Sequence, residues 1–205
     1  MSVRAKICGI TRIEDALCAV ESGADALGFV FWPKSARYIT PAEAGKITAR
    51  IPAFIQTVGV YVDPSPDWVE ETAIAAKLSL LQFHGDEKPE FCAQFNRPYI
   101  KAIRVRDNTD LIQYALEYKT ACGLLLDTYT KGMPGGTGQT FDWNLIPQNC
   151  PLPVILSGGL TIENVRSAIK QVQPWAVDVS SGVEKSKGIK DENKINAFMR
   201  GVRET

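Results

Sequence analysis

The sequence is short of several things at once: it has one histidine, no net charge and no long apolar run. Lys plus Arg number 23 and Asp plus Glu number 23, so no global field draws nucleic acid or an anionic membrane surface. Any anion must therefore be held by a local site. The longest apolar run is Ala26 to Trp32, seven residues, against roughly 18 for a membrane span. The N-terminal stretch MSVRAKICGI lacks both the apolar core of a signal peptide and the Arg/Ser-rich character of a transit peptide. The five cysteines (Cys8, Cys18, Cys92, Cys122, Cys150) are odd in number, and the closest pair is ten residues apart. That spacing fits neither a zinc site nor a redox pair, and a disulfide framework is not expected. A reducing, cytoplasmic location is the expectation. Linkers, charge blocks and low-complexity tracts are also missing, so the 205 residues read as one domain, 1–205.

What is present is an alternation. Short apolar, β-branched runs predict strands at 3–8, 24–30, 55–62, 79–83, 98–104, 122–127, 153–157 and 176–180, starting 19 to 31 residues apart. Each is followed by a stretch of helical period, a spacing suited to βα units. Thr11 to Glu14 and Thr40 to Glu43 have the pattern of capping boxes, the second with Pro41 at the first helical position, and Ser65 before Pro66 repeats the cap-then-proline order. Ile13, Ala16, Leu17 and Val20 repeat with helical period, as do Ile195, Phe198, Met199 and Val202. Eight near-continuous apolar strands imply a parallel sheet covered by helices. An open doubly wound sheet is the competitor, but the first strand is followed by Cys8-Gly9-Ile10-Thr11, which is neither GxGxxG nor GxxxxGK[ST]. The expected fold is α/β, a small single-domain (β/α)8 TIM barrel with short loops.

A site in such a barrel lies at the C-terminal ends of the strands. Glycine pairs follow the last two strands, as Ser157-Gly158-Gly159-Leu160 before Thr161, a plausible helix cap, and as Ser180-Ser181-Gly182-Val183. They read either as tight turns or, because backbone amides there can approach a ligand closely, as a phosphate cradle. Cys8 ends the first strand and is either a small buried hydrophobe or a thiolate acting as base or nucleophile. Asp127 ends the sixth and is either a structural hydrogen-bonding group or a general acid. Arg37 reads as solvated surface or as a bidentate carboxylate clamp. His84 reads as structural or catalytic, and Trp143 as helix packing.

Together the motifs resemble one family. They are Lys6-Ile7-Cys8-Gly9-Ile10-Thr11, Gly28-Phe29-Val30-Phe31, Ser35-Ala36-Arg37-Tyr38-Ile39, Gln82-Phe83-His84-Gly85 and Leu126-Asp127. After them come Gly135-Gly136-Thr137-Gly138 with Phe141-Asp142-Trp143, then Ser157-Gly158-Gly159-Leu160 and Asp178-Val179-Ser180-Ser181-Gly182-Val183-Glu184. In this order, spanning nearly the whole chain, they resemble phosphoribosylanthranilate isomerases. The resemblance implies an Amadori rearrangement of N-(5-phosphoribosyl)anthranilate in tryptophan biosynthesis, with no metal and no organic cofactor. It implies Cys8 as general base, Asp127 as general acid and Arg37 as the clamp on the anthranilate carboxylate. Amides around Gly158, Gly159, Ser181 and Gly182 would hold the phosphate, with His84, Asp178 and Ser180 also against the substrate. The partner it implies is that small molecule; monomer and dimer stay open. The segment 128–138 is a candidate mobile lid.

Rivals remain. A metal-dependent phosphosugar epimerase needs several metal ligands that one histidine cannot supply. A related indole-3-glycerol-phosphate synthase generally uses strand-end lysines, whereas Lys6 and Lys101 lie within predicted strands. A non-catalytic phosphosugar-binding barrel would make Cys8 and Asp127 spectators.

Overall fold

The computed structural model describes residues 2–128 and 140–205. Eight parallel strands pair in chain order and close on themselves. They are β1 (Arg4–Cys8), β2 (Ala26–Val30), β3 (Gln56–Tyr61), β4 (Leu80–Phe83), β5 (Tyr99–Val105), β6 (Leu124–Thr128), β7 (Val154–Leu156) and β8 (Ala176–Val179), each within two residues of its predicted bounds. Closure is made by β1, which pairs Cys8 with Gly28 on one side and Lys6 with Asp178 on the other. The fold is the expected (β/α)8 barrel.

Strand alternation sorts side chains into an outer and an inner set. Ala5, Ile7, Leu27, Phe29, Leu81, Phe83, Leu124, Leu126, Leu156, Val177 and Val179 join the large core beneath the helices. Their neighbours Ile100, Ala102 and Leu125, with Leu80 and Ile155, fill the barrel interior, and Cys8, Val30 and Val60 form a smaller cluster with Trp32 at the mouth. The interior is thus packed, and the polar inward side chains gather at the mouth and, with Lys6, directly beneath it.

The helices are α1 (Ile13–Glu21), α2 (Pro41–Thr48), α3 (Pro66–Ala75), α4 (Pro89–Ala93), α5 (Leu111–Glu117), α6 (Val165–Val172) and α7 (Glu192–Arg203). Thr40 and Glu43 form the full capping box of α2, and Ser65 accepts from the Trp68 amide to cap α3. Thr11 does not cap α1: Arg12 occupies the cap position without a side-chain bond, because the Thr11 hydroxyl donates instead to the Gly188 carbonyl at 2.5 Å. Thr161 does not cap α6 either. Asn164 takes the Thr161 amide on its side-chain oxygen (2.8 Å) and donates to the Gly159 carbonyl (2.9 Å), which adds a turn before the helix begins. The apolar stripe of α7 is buried as read. That of α1 is displaced: Ala16 and Ala19 are buried with Ile13 and Val20 beside them, and Leu17 is only half-buried.

Two departures matter for the site. Between β6 and β7 the described residues hold no α-helix, only a 3-10 turn at Trp143–Leu145 packed on the core. The Gly135-to-Gly138 motif and, apart from Thr128, the lid expectation lie outside the described residues. Between β8 and α7 stands an unforeseen hairpin of β9 (Glu184–Ser186) and β10 (Ile189–Lys190).

Candidate active site

A cavity of about 320 Å³ opens at the C-terminal end of the barrel, walled by Cys8, Arg37, His84, Asp127, Gly158, Gly159, Asp178, Ser180 and Ser181. Nine predicted residues, spread over 174 positions of chain, therefore converge. Gly182 does not wall it. A side chain there would collide with the Leu160 carbonyl, so its glycine lets the loops after β7 and β8 approach each other. A second cavity of about 410 Å³, between β5 and α5, is lined by Arg104, Tyr114 and Tyr118 and by none of the predicted residues.

Cys8 and Asp127 point inward from β1 and β6, with β7 and β8 between them on one side and four strands on the other. Burial pushes the Cys8 thiol up from its ordinary value. Lys6 opposes this, Asp178 adds to it and Lys190 opposes it, and burial prevails. Lys6 lies two residues below Cys8 on the same inward face and pairs with Asp178 at 2.5 Å. Burial works against its ammonium, but Asp178 and Cys8 more than compensate and raise its pKa. Asp178 also accepts from the Ser157 hydroxyl at 3.2 Å. The barrel floor beneath Cys8 is thus a closed polar network, as burial of charge requires.

Asp127 is buried. Its Oδ1 accepts from the Thr128 amide at 2.8 Å, and its Oδ2 stands 3.1 Å from His84 Nε2. That approach is off the hydrogen-bonding direction, and among the described residues His84 Nε2 and Gln82 Oε1 are buried polar atoms without a partner. Gln82 Nε2 lies 3.2 Å from His84 Nδ1. Both residues line the cavity, where water or a ligand can pair them.

Gly158 and Gly159 turn the chain out of β7 with φ of +80° and +65°, a left-handed backbone that favours glycine. A side chain on Gly158 would also strike the Thr128 amide and the Asp127 carboxylate, so the loop lies directly against the acidic group. Ser180 donates to the Cys8 carbonyl at 3.0 Å, tying the loop after β8 to β1.

Arg37 is not the solvated side chain its loop suggested. It donates from Nε and Nη2 to the two Glu184 oxygens at 2.7 and 2.8 Å, and Glu184 raises its pKa against the effect of burial. Burial pushes the Glu184 carboxyl up, but Arg37 and Lys190 hold it below the usual range. Lys190 donates to the Cys8 carbonyl (2.5 Å), the Ser180 carbonyl (3.1 Å) and Glu184 Oε1 (3.1 Å), its pKa lowered by burial against the pull of Glu184 and Cys8. Lys6, Gln82, Asn164 and Lys190 were not foreseen as site residues. The first two carried a signal, since each lies two residues before a predicted site residue on the same inward face.

The family profile for N-(5'-phosphoribosyl)anthranilate (PRA) isomerase matches residues 5–201. An N-(5'-phosphoribosyl)anthranilate isomerase of Nitrosospira multiformis is 67% identical over 202 residues, covering 98% of this chain and 97% of that protein. The crystal structure of phosphoribosyl anthranilate isomerase from Thermotoga maritima superposes with a TM-score of 0.91 at 47% identity, covering 99% of this chain and 100% of that one. A crystal structure of such an isomerase in complex with reduced 1-(o-carboxyphenylamino)-1-deoxyribulose 5-phosphate gives 0.88 at 44% identity, again covering 99% of this chain and 100% of that one.

Proposed function

The chain belongs to the N-(5'-phosphoribosyl)anthranilate isomerase family, and from that premise we propose the parts its residues take in the reaction. The reaction is the Amadori rearrangement of N-(5'-phosphoribosyl)anthranilate to 1-(2-carboxyphenylamino)-1-deoxyribulose 5-phosphate, a step of tryptophan biosynthesis. Asp127 protonates the furanose ring oxygen. The C1–O bond breaks as the nitrogen lone pair forms an iminium at C1. That cation acidifies the C2 proton, Cys8 removes it, and the resulting enolamine tautomerises to the ketone. Only protons and electron pairs within the substrate move, with no net oxidation, so an acid and a base suffice.

The single observation that carries this reading is the placement of one thiol and one carboxylate, both buried, on β1 and β6 across a cavity that the Gly158-Gly159 loop and Arg37 also line. Amides of Gly158, Gly159 and Ser181 take the phosphate at one end, with Gly182 closing the loop behind them, and Arg37 takes the anthranilate carboxylate at the other. Fixing both anionic ends orients the sugar between acid and base, a source of rate in its own right. His84, with Gln82 behind it, and Ser180 face the sugar hydroxyls, and Asp178 acts from beneath through Lys6. The chain 1–205 works as one catalytic barrel domain. It acts in the cytoplasm, where a reducing medium keeps Cys8 a thiol; among the described residues no helix is long and apolar enough to cross a membrane.

The test is the fluorescence loss of phosphoribosylanthranilate with wild type, Cys8→Ser and Asp127→Asn. Each substitution is expected to lower kcat by about 10³-fold or more with circular dichroism unchanged. Near-wild-type turnover in either folded variant would overturn the assignment, and an inert wild type would favour a binding barrel.

A further inference from the structure

The guanidinium that receives the substrate carboxylate is not left to find its own orientation. Arg37 has five N–H groups, and Glu184 engages one on Nε and one on Nη2, at 2.7 and 2.8 Å. This bidentate arrangement occupies one edge of the planar fork and leaves the Nη1/Nη2 edge for a second carboxylate. Glu184 is itself anchored: its Oε1 takes Lys190 Nζ at 3.1 Å and the Gly188 amide at 3.3 Å, and its carbonyl takes Lys194 Nζ at 2.8 Å. Lys190 has a fully buried ammonium, and its remaining bonds go to the Cys8 and Ser180 carbonyls. Its own amide donates to Asp15 Oδ2 at 3.0 Å. One carboxylate and one ammonium on the β9–β10 hairpin thus join the loop after β2, the end of β1 and the loop after β8.

We propose that Glu184, anchored by Lys190, is a positioning residue that sets the free edge of Arg37 toward the anthranilate carboxylate and so determines selectivity for a carboxylated aromatic amine. This rests on Arg37 being the carboxylate clamp. Arg37, Lys190 and Glu184 together carry one net positive charge, which matches a single carboxylate. A guanidinium held before binding loses less side-chain freedom when the substrate arrives. Without Glu184, Arg37 would have its full rotamer range and a second orientation to choose.

The test uses two substrates, phosphoribosylanthranilate and its aniline counterpart lacking the carboxylate, with Glu184→Gln, Glu184→Asp, Arg37→Ala and the Arg37→Ala/Glu184→Gln double variant. Glu184→Gln is expected to raise KM for the carboxylated substrate roughly tenfold with kcat changed far less. The aniline substrate should lose far less in kcat/KM than the carboxylated one, and on the carboxylated substrate the double variant should be no worse than Arg37→Ala alone. Glu184→Asp, which shortens the reach to Arg37, should show the same selective loss and serves if Glu184→Gln does not fold. An equal loss on both substrates would make Glu184 merely structural and overturn the proposal while leaving the clamp intact. A lower KM in Glu184→Gln would make it a competitor of the substrate and overturn it as well. Arg37→Ala with unchanged KM on the carboxylated substrate would overturn both the clamp and the proposal.

Discussion

The Cys8 thiol is pulled in two directions, with burial and Asp178 raising its pKa, Lys6 and Lys190 lowering it, and burial prevailing. As the base, it must be unprotonated while Asp127 keeps a proton. Raising the pH until the pair loses its last proton destroys that form. The alkaline limb of kcat/KM is therefore expected above the ordinary thiol value of about 8.5, and residual Cys8→Ser activity should lack it. A limb shared by the variant would remove Cys8 from the base role, whereas a limb at or below that value would show that burial does not prevail at the thiol. Cys8, His84 and Asp127 were legible because each ends a run whose alternate residues are apolar, which puts the polar terminus at the barrel mouth. Lys190 was not, because it serves the Cys8 carbonyl from 182 residues away and no local pattern announces that bond. The place of Arg37 at the barrel mouth was legible, but its pairing with Glu184 was not, because that required the hairpin to fold back.

Among elements, the strands declared themselves by apolar runs, and the closed order followed from their number and spacing. The β9–β10 hairpin escaped notice because Glu184–Ser186 and Ile189–Lys190 are too short and polar to read as strands, and tertiary pairing holds them in place. The caps at Thr11 and Thr161 failed for a related reason: a distant carbonyl claimed the first hydroxyl, and Asn164 made the turn at the second. The loop after β7 is the element whose geometry is most exacting. Gly158→Ala introduces a side chain into a left-handed turn and against Thr128 and Asp127, so inhibition by inorganic phosphate should weaken by about tenfold and kcat should fall. Unchanged phosphate inhibition would place the phosphate elsewhere.

For the molecule as a whole, balanced charge means that a doubly anionic substrate must be recognised locally, and the proposed elements for this, the loop after β7 and Arg37, both line the one cavity at the barrel mouth. Stability carries a different signature. Cys92 is fully buried under the helices, and burial pushes its thiol up to about 12. A group whose folded pKa is raised contributes fully below its unfolded value, about 8.5, and loses that contribution as pH climbs through the folded one. Urea midpoints should therefore fall between pH 8 and 10.5, Cys92 contributing up to about 1.4 kcal/mol per pH unit. Cys92→Ala should start lower and fall less steeply; parallel lines would exclude the thiol as a source of the loss.

If β1 supplies the base and β6 the acid, isotope effects separate their two steps. With substrate deuterated at ribose C2, Cys8→Ser should show a larger primary isotope effect on kcat than wild type, because proton removal becomes fully limiting. Asp127→Asn should show one near unity, because ring opening limits instead. Equal isotope effects in the two variants, or the reverse order, would contradict the assignment of Cys8 as base and Asp127 as acid.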